Sequence, residues 1–114
     1  MHIIDFLYFN KAAGPHGALV MEAAEEGCFF DMAITEMPMQ AARVADFMRQ
    51  AASAINFLHI TCKIAHLDIK LENMLLCSPT ERGREPTLKL ADFGFATANV
   101  EPSPNQTSNG TDGF

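Results

Sequence analysis

The stretch IAHLDIKLENMLL, residues 64–76, sets His66, Asp68, Lys70 and Asn73 between two short apolar flanks. The flanks, KIA and MLLC, are too short for helices and read as strands, so the polar side chains fall in a loop at the edge of a core. The loop offers a proton acceptor, a fixed positive charge and a neutral amide oxygen. Further on, DFGFA adds a second carboxylate, Asp92, and Gly94 is expected to let the backbone turn sharply beside it. A carboxylate and an amide oxygen, with positions left for water and phosphate, are a usual way of holding Mg²⁺. Such a metal and a lysine neutralise phosphate charge while an acid orients an attacking hydroxyl, which is the chemistry of phosphoryl transfer.

Outward from the loop, FMRQAASAINFLH lies within a predicted long helix, from about Met39 to His59. Val44, Phe47, Met48, Ala51, Ile55 and Leu58 recur at three- and four-residue steps and form one apolar stripe. Arg43, Asp46, Arg49 and Gln50 fall mostly on other faces, and no Ser, Thr or Asp caps the start. The stripe reads as core, with a partner groove as the alternative. CFFDMAI predicts a short helix ending before Pro38. IIDFLYF, from Ile3 to Phe9, and ALVM, from Ala18 to Met21, predict two strands across the turn NKAAGPHG, able to form a hairpin. EAAEEG is a polar connector, SPTERGREP a polar turn, and TLKLA alternates as a strand. From Asn99 on, Pro, Ser, Asn and Gly predict a mobile loop.

These residues carry a resemblance. HLDIKLEN followed by DFG resembles the catalytic loop and metal-binding turn of eukaryotic-type protein kinases, a signature the family shares and not one derived from spacing. Lys70, two residues after Asp68, is the serine/threonine form. The resemblance implies an α+β, protein kinase-like fold in incomplete form: residues 1–21 the end of the N-lobe, 22–27 the hinge, and 28–114 the first part of the C-lobe, with the activation loop from 92. It implies ATP and Mg²⁺ as cofactors and a protein Ser/Thr hydroxyl as substrate. Asp68 and Lys70 would be catalytic, and Asn73 and Asp92 would hold the metal. Met21 (as gatekeeper), Glu22 and Ala24 (through their backbones), Glu72 and Leu75 would bind the nucleotide. His66 and Phe93 would be structural. GTDGF resembles the start of the Gly-Thr-x-x-Tyr/Phe segment that precedes Ala-Pro-Glu in the family, so Thr111 would hydrogen-bond Asp68 and Lys70 and position the substrate hydroxyl.

Two departures qualify the resemblance. The arginine that usually precedes the catalytic aspartate is Leu67, which cannot pair with phosphate, so phosphorylation at Ser103, Thr107 or Ser108 is expected to matter less than usual. The family's Gly-rich loop, Val-Ala-x-Lys strand and Ala-Pro-Glu segment are not in the sequence. Residues 1–114 alone are therefore expected to be an incomplete kinase domain with little activity, marginal stability and a partly exposed stripe. The alternative is a pseudokinase-like binding or scaffold protein. A small-molecule phosphotransferase is a third reading, opposed by Lys70 and GTDGF.

The whole chain sets wider bounds. At 114 residues, 48% apolar and 19% charged, it has globular composition. A net charge of -6 argues against nucleic-acid or anionic-membrane surfaces. Cys28, Cys62 and Cys77 predict free buried thiols in a reducing compartment, cytoplasm or nucleus. Oligomeric state is left open. The start is a poor signal peptide, and the two Asn-x-Thr sequons near the end read as chance.

Overall fold

The computed structural model describes residues 2–12 and 14–98. Strands β1 (Phe6–Asn10) and β2 (Ala18–Met21) form the expected antiparallel hairpin. The predicted first strand is displaced, however. Ile3 bridges Leu90 instead, the Ile4 N–H donates to the Leu90 carbonyl at 2.9 Å, and β1 begins only at Phe6. A register shift at Leu7 interrupts the hairpin ladder. Gly17 closes the turn at φ +69°, a conformation that strains any residue with a side chain, and a Cβ there would force the Phe9 ring, 2.4 Å away, to shift.

Helix α1 (Phe29–Thr35) follows the connector, and α2 (Ala41–Phe57) is the long helix. Neither has a side-chain N-cap bond, which for α2 is what the sequence implies. The last turn of α2 widens into a π-helical turn, Leu58–Cys62, which stops at Lys63 in the left-handed region. Of the predicted stripe, Phe47, Ala51 and Leu58 are buried, Val44 and Ile55 half-buried, and Met48 exposed. Gln50 departs from its expected outward face. It is buried, its Oε1 accepts the Leu88 N–H at 2.9 Å, and its Nε2 donates to Asp46 at 2.9 Å.

Four short strands complete the described chain: β3 (Ile64–Ala65), β4 (Met74–Cys77), β5 (Thr87–Leu90) and β6 (Thr97–Ala98), with a 3₁₀ turn at Leu71–Asn73. β4 pairs antiparallel with β5, and β3 with β6. Strand β4 is apolar on both faces because both are covered, whereas β5 alternates, with Leu88 and Leu90 on the core face and Thr87 and Lys89 on the other. Met74, Leu76, Leu88 and Leu90 pack with Phe29, Phe47, Ala51, Ala54 and Leu58. On the other face Leu75 and Cys77 pack with Ile4, Ala24 and Ala91. Each fully buried Leu or Phe contributes about 2 kcal/mol of transfer free energy. The connector lies along β4, with the Leu76 N–H donating to the Gly27 carbonyl at 2.8 Å and the Glu26 N–H to the Leu76 carbonyl at 3.1 Å. All three thiols are free, but only Cys77 is buried; Cys28 is half-buried and Cys62 exposed, where the π-turn faces solvent. Among the described residues no helix is long and apolar enough to cross a membrane.

Candidate active site

Strand pairing brings the two polar loops together. Residues 66–73 run between β3 and β4, and residues 91–96 between β5 and β6. Because β3 pairs with β6 and β4 with β5, both loops are clamped at both ends and lie side by side. Three contacts fasten them. The Ala91 N–H donates to the Asn73 carbonyl at 2.9 Å. His66, only 2% exposed, joins its Nε2 to the Ala91 carbonyl at 2.9 Å, while its Nδ1 accepts the Asp68 N–H at 3.3 Å. That pattern is the Nε2–H tautomer. The His66 ring also packs on Phe93, centroids 4.8 Å apart.

Asn73 links the loop to the cleft. Its Nδ2 donates to both the Asp68 carbonyl and Asp68 Oδ2, each at 2.9 Å. With both amide hydrogens engaged, Oδ1 is left as an acceptor. Lys70 Nζ sits 3.2 Å from Asp68 Oδ2. The Lys70 hydrogen bond, reinforced by Asn73, holds the Asp68 carboxyl below the usual aspartate range against the opposing effect of desolvation.

Backbone strain marks both loops. Leu67 and Asp92 hold φ of 63° and 61°, a region that is costly for a leucine. The sharp turn expected of Gly94 belongs to Asp92 instead. Gly94 serves close approach: its N–H donates to Asp92 Oδ1 at 3.1 Å, and a Cβ would sit 3.1 Å from that same oxygen.

A cleft of about 710 Å³ opens between the hairpin and these loops, lined by Ile4, Phe6, Leu19, Met21, Glu72, Asn73, Leu75, Ala91, Asp92, Phe93 and Gly94. Of the residues singled out from sequence, Met21, Glu72, Leu75, Asn73 and Asp92 share it. Asp68 and Lys70 do not line it and reach it only through Asn73. Glu22 and Ala24 do not line it either. The Glu22 N–H is taken by the Asp5 carbonyl at 2.9 Å, its carboxylate is turned to Lys89, and Ala24 packs into the small cluster behind Leu75. Thr111, like Ser103, Thr107 and Ser108, lies outside the described residues.

The sequence reading missed three contributors. Ala91 ties the loops through both its backbone groups. Gln50 holds β5 against α2; its spacing from Phe47 and Ala54 already put it at the border of the stripe. Lys89 alternates with Leu88 and Leu90, which turns it from the main core toward Glu22, at 2.6 and 2.8 Å.

The donor set bears on a metal. Among the described residues no three His, Cys, Asp or Glu side chains gather into a cluster that could hold an ion. Asn73 and Asp92 both line one cleft, and an amide oxygen and a carboxylate are both hard oxygen donors. Two such ligands suit a Mg²⁺ that keeps water and phosphate oxygens in its remaining positions.

The protein kinase domain family matches residues 1–114. The chain is similar to the serine/threonine-protein kinase CHK1 of Saccharomyces cerevisiae, 38% identical over 79 residues, which cover 69% of this chain and 14% of that protein. It is 42% identical over 95 residues to the human testis-specific serine/threonine-protein kinase 3, covering 83% of this chain and 32% of the relative. It is 53% identical over 60 residues to the rat serine/threonine-protein kinase ULK3, covering 53% and 11%. The chain spans a third or less of the length of each of these relatives.

Proposed function

The chain belongs to the protein kinase domain family, and from that premise we propose that it is the central part of a protein serine/threonine kinase, transferring phosphate from ATP to a protein hydroxyl. In this reading residues 1–21 end the N-lobe, 22–27 are the hinge and 28–114 begin the C-lobe. The apolar cleft under Met21 and over Leu75 takes the adenine, with Glu72 nearby for the sugar. The Glu22 carbonyl and Ala24 N–H, which have no hydrogen-bond partner among the described residues, are the backbone groups available to the adenine edge.

Asn73 Oδ1 and Asp92 would hold Mg²⁺, which supplies charge neutralisation on the phosphates when bound. Lys70 adds a second positive charge at the transferred group. Asp68 is held ionised, so it is a weak base. Its main service is to orient the hydroxyl as a hydrogen-bond acceptor and to take the proton late in the transfer. Thr111 would position the same hydroxyl.

The observation that carries this reading is the Asn73 amide. It commits both hydrogens to Asp68, keeps its oxygen for a cation, and shares the cleft with Asp92. The test is titration of this chain with ATP, with and without Mg²⁺. Binding should depend on Mg²⁺ and weaken at least roughly tenfold in Asp92→Ala, as loss of a ligating carboxylate does. Binding indifferent to both would sink the proposal.

A second reading, nucleotide binding without transfer, rests on Leu67. It is 66% exposed and apolar where the family usually carries an arginine. Phosphorylation of a generic protein substrate, lost in Asp68→Asn while nucleotide binding persists, distinguishes the enzyme from the binder.

A further inference from the structure

Lys89 is a charged residue in a largely buried place. It lies on β5 between the buried Leu88 and Leu90, and its side chain is only 16% exposed. Its ladder partner is Leu75, which lines the cleft. Taking an ammonium and a carboxylate out of water is costly, and apolar residues of similar volume in place of such a pair are often no less stable. Stability alone is therefore a weak reason for the pair, and its position is the informative feature. Glu22, the partner of Lys89, directly follows Met21, the last residue of β2 and another part of the cleft lining. One ion pair thus joins the residue beside Met21 to the residue laddered with Leu75.

Glu22 is held at every polar group but one. Its N–H donates to the Asp5 carbonyl at 2.9 Å, and its Oε1 accepts the Asp5 N–H at 2.7 Å. Lys89 Nζ donates to Oε1 at 2.6 Å and to Oε2 at 2.8 Å. The Glu22 carbonyl alone has no partner among the described residues. A side chain gripped from two sides restrains the backbone that carries it, and an acceptor held in place beforehand binds a donor without the entropic cost of ordering it. On the nucleotide reading of the cleft, we propose that Lys89 is a positioning residue for the base: through the Glu22 carboxylate it holds the Glu22 carbonyl where the 6-amino group of adenine donates to it. The ion pair then sets selectivity for a 6-aminopurine, a role that neither Lys89 nor the Glu22 carboxylate could fill by touching the base.

The experiment titrates the full 114-residue chain, with Mg²⁺ present, with ATP and with purine riboside triphosphate, which lacks the 6-amino group; circular dichroism confirms the folding of each variant. The unaltered chain should prefer ATP about fivefold, the worth of one hydrogen bond. Lys89→Met should weaken ATP by about that factor and leave the analogue nearly unchanged, so that the preference disappears. Lys89→Arg, which can still pair with both carboxylate oxygens, should restore it. Glu22→Gln keeps an acceptor for the Asp5 N–H but loses the charge, and should lower the preference as Lys89→Met does, which also covers the case in which Lys89→Met fails to fold. The double variant should lose no more than either single one, as residues acting through one link do. Equal weakening of both nucleotides, a preference that survives Lys89→Met or Glu22→Gln, no preference in an unaltered chain that binds both, or additive losses would overturn this role for Lys89. An unaltered chain that binds neither nucleotide would overturn the nucleotide reading of the cleft, and the role of Lys89 with it.

Discussion

At the scale of single residues, Asp68 and His66 do different work on adjacent backbone. The Asp68 carboxyl is depressed chiefly by the Lys70 hydrogen bond. A depressed carboxyl adds stability above its ordinary value of 3.8 and loses it as pH falls through the lower folded value. Lys70→Met should therefore raise the Asp68 midpoint toward 3.8, read by NMR titration of that carboxyl, and added salt should shrink the difference because the pair is partly exposed. An unmoved midpoint would contradict the assignment. His66 holds two loops at once. His66→Leu leaves the Ala91 carbonyl and the Asp68 N–H without partners and should cost about 3 kcal/mol in urea denaturation.

At the scale of elements, α2 and β5 form the central contact, and it is both apolar and polar. Phe47 is 1% exposed, packs on Phe29 at 5.0 Å between ring centroids, and has Arg43 over its ring at 5.7 Å. Phe47→Ala should cost about 4 kcal/mol through lost burial and the cavity left behind. Gln50→Ala removes no large apolar volume, yet it strips the buried Leu88 N–H of its acceptor and should cost about 2 kcal/mol. Denaturation midpoints of the two variants compare packing with hydrogen bonding on one helix. If Gln50→Ala proves neutral, the Leu88 N–H finds another partner and the bond is not what sets the height of α2 on the ribbon.

At the scale of the whole molecule, one ion pair clasps the hairpin to the ribbon. Lys89 Nζ bonds both Glu22 oxygens, and Glu22 Oε1 also accepts the Asp5 N–H at 2.7 Å. The Lys89 hydrogen bond holds Glu22 below its ordinary 4.5. Burial pulls Lys89 down, but the bond and charge of Glu22 outweigh it and hold the ammonium above 10.5. The sign follows for each group. The Glu22 contribution is complete above 4.5 and fades as pH falls through its lowered folded value; the Lys89 contribution is complete below 10.5 and fades as pH rises through its raised one. Lys89→Met should cost about 2 kcal/mol, between the exposed and buried limits for such pairs. Hydrogen exchange should speed up in β1 and β2 while α2 amides change little. Equal acceleration in both would show that the hairpin and the ribbon open as one unit.

The sequence by itself determined the order and type of the main elements. The 3.6-residue period from Phe47 to Leu58 admits only one helical face, and Ala18–Met21 and Thr87–Leu90 admit only short strands. It also set Asp68, Lys70 and Asn73 in one short loop, with Asp92 opening DFG further on, a pattern whose chemical roles are what the resemblance to protein kinases implies and not what spacing alone determines. Tertiary structure decided what local pattern cannot encode. Ile3 left the hairpin to pair with Leu90, and Gln50 went inward, because partners more than thirty residues away offered hydrogen bonds. Asp92, not Gly94, took the left-handed turn. Asn73 and Asp92 came to line one cleft only because β3 pairs with β6 and β4 with β5. Residues nineteen apart meet when two ladders close around them, and that closure depends on the register of strands far from either residue.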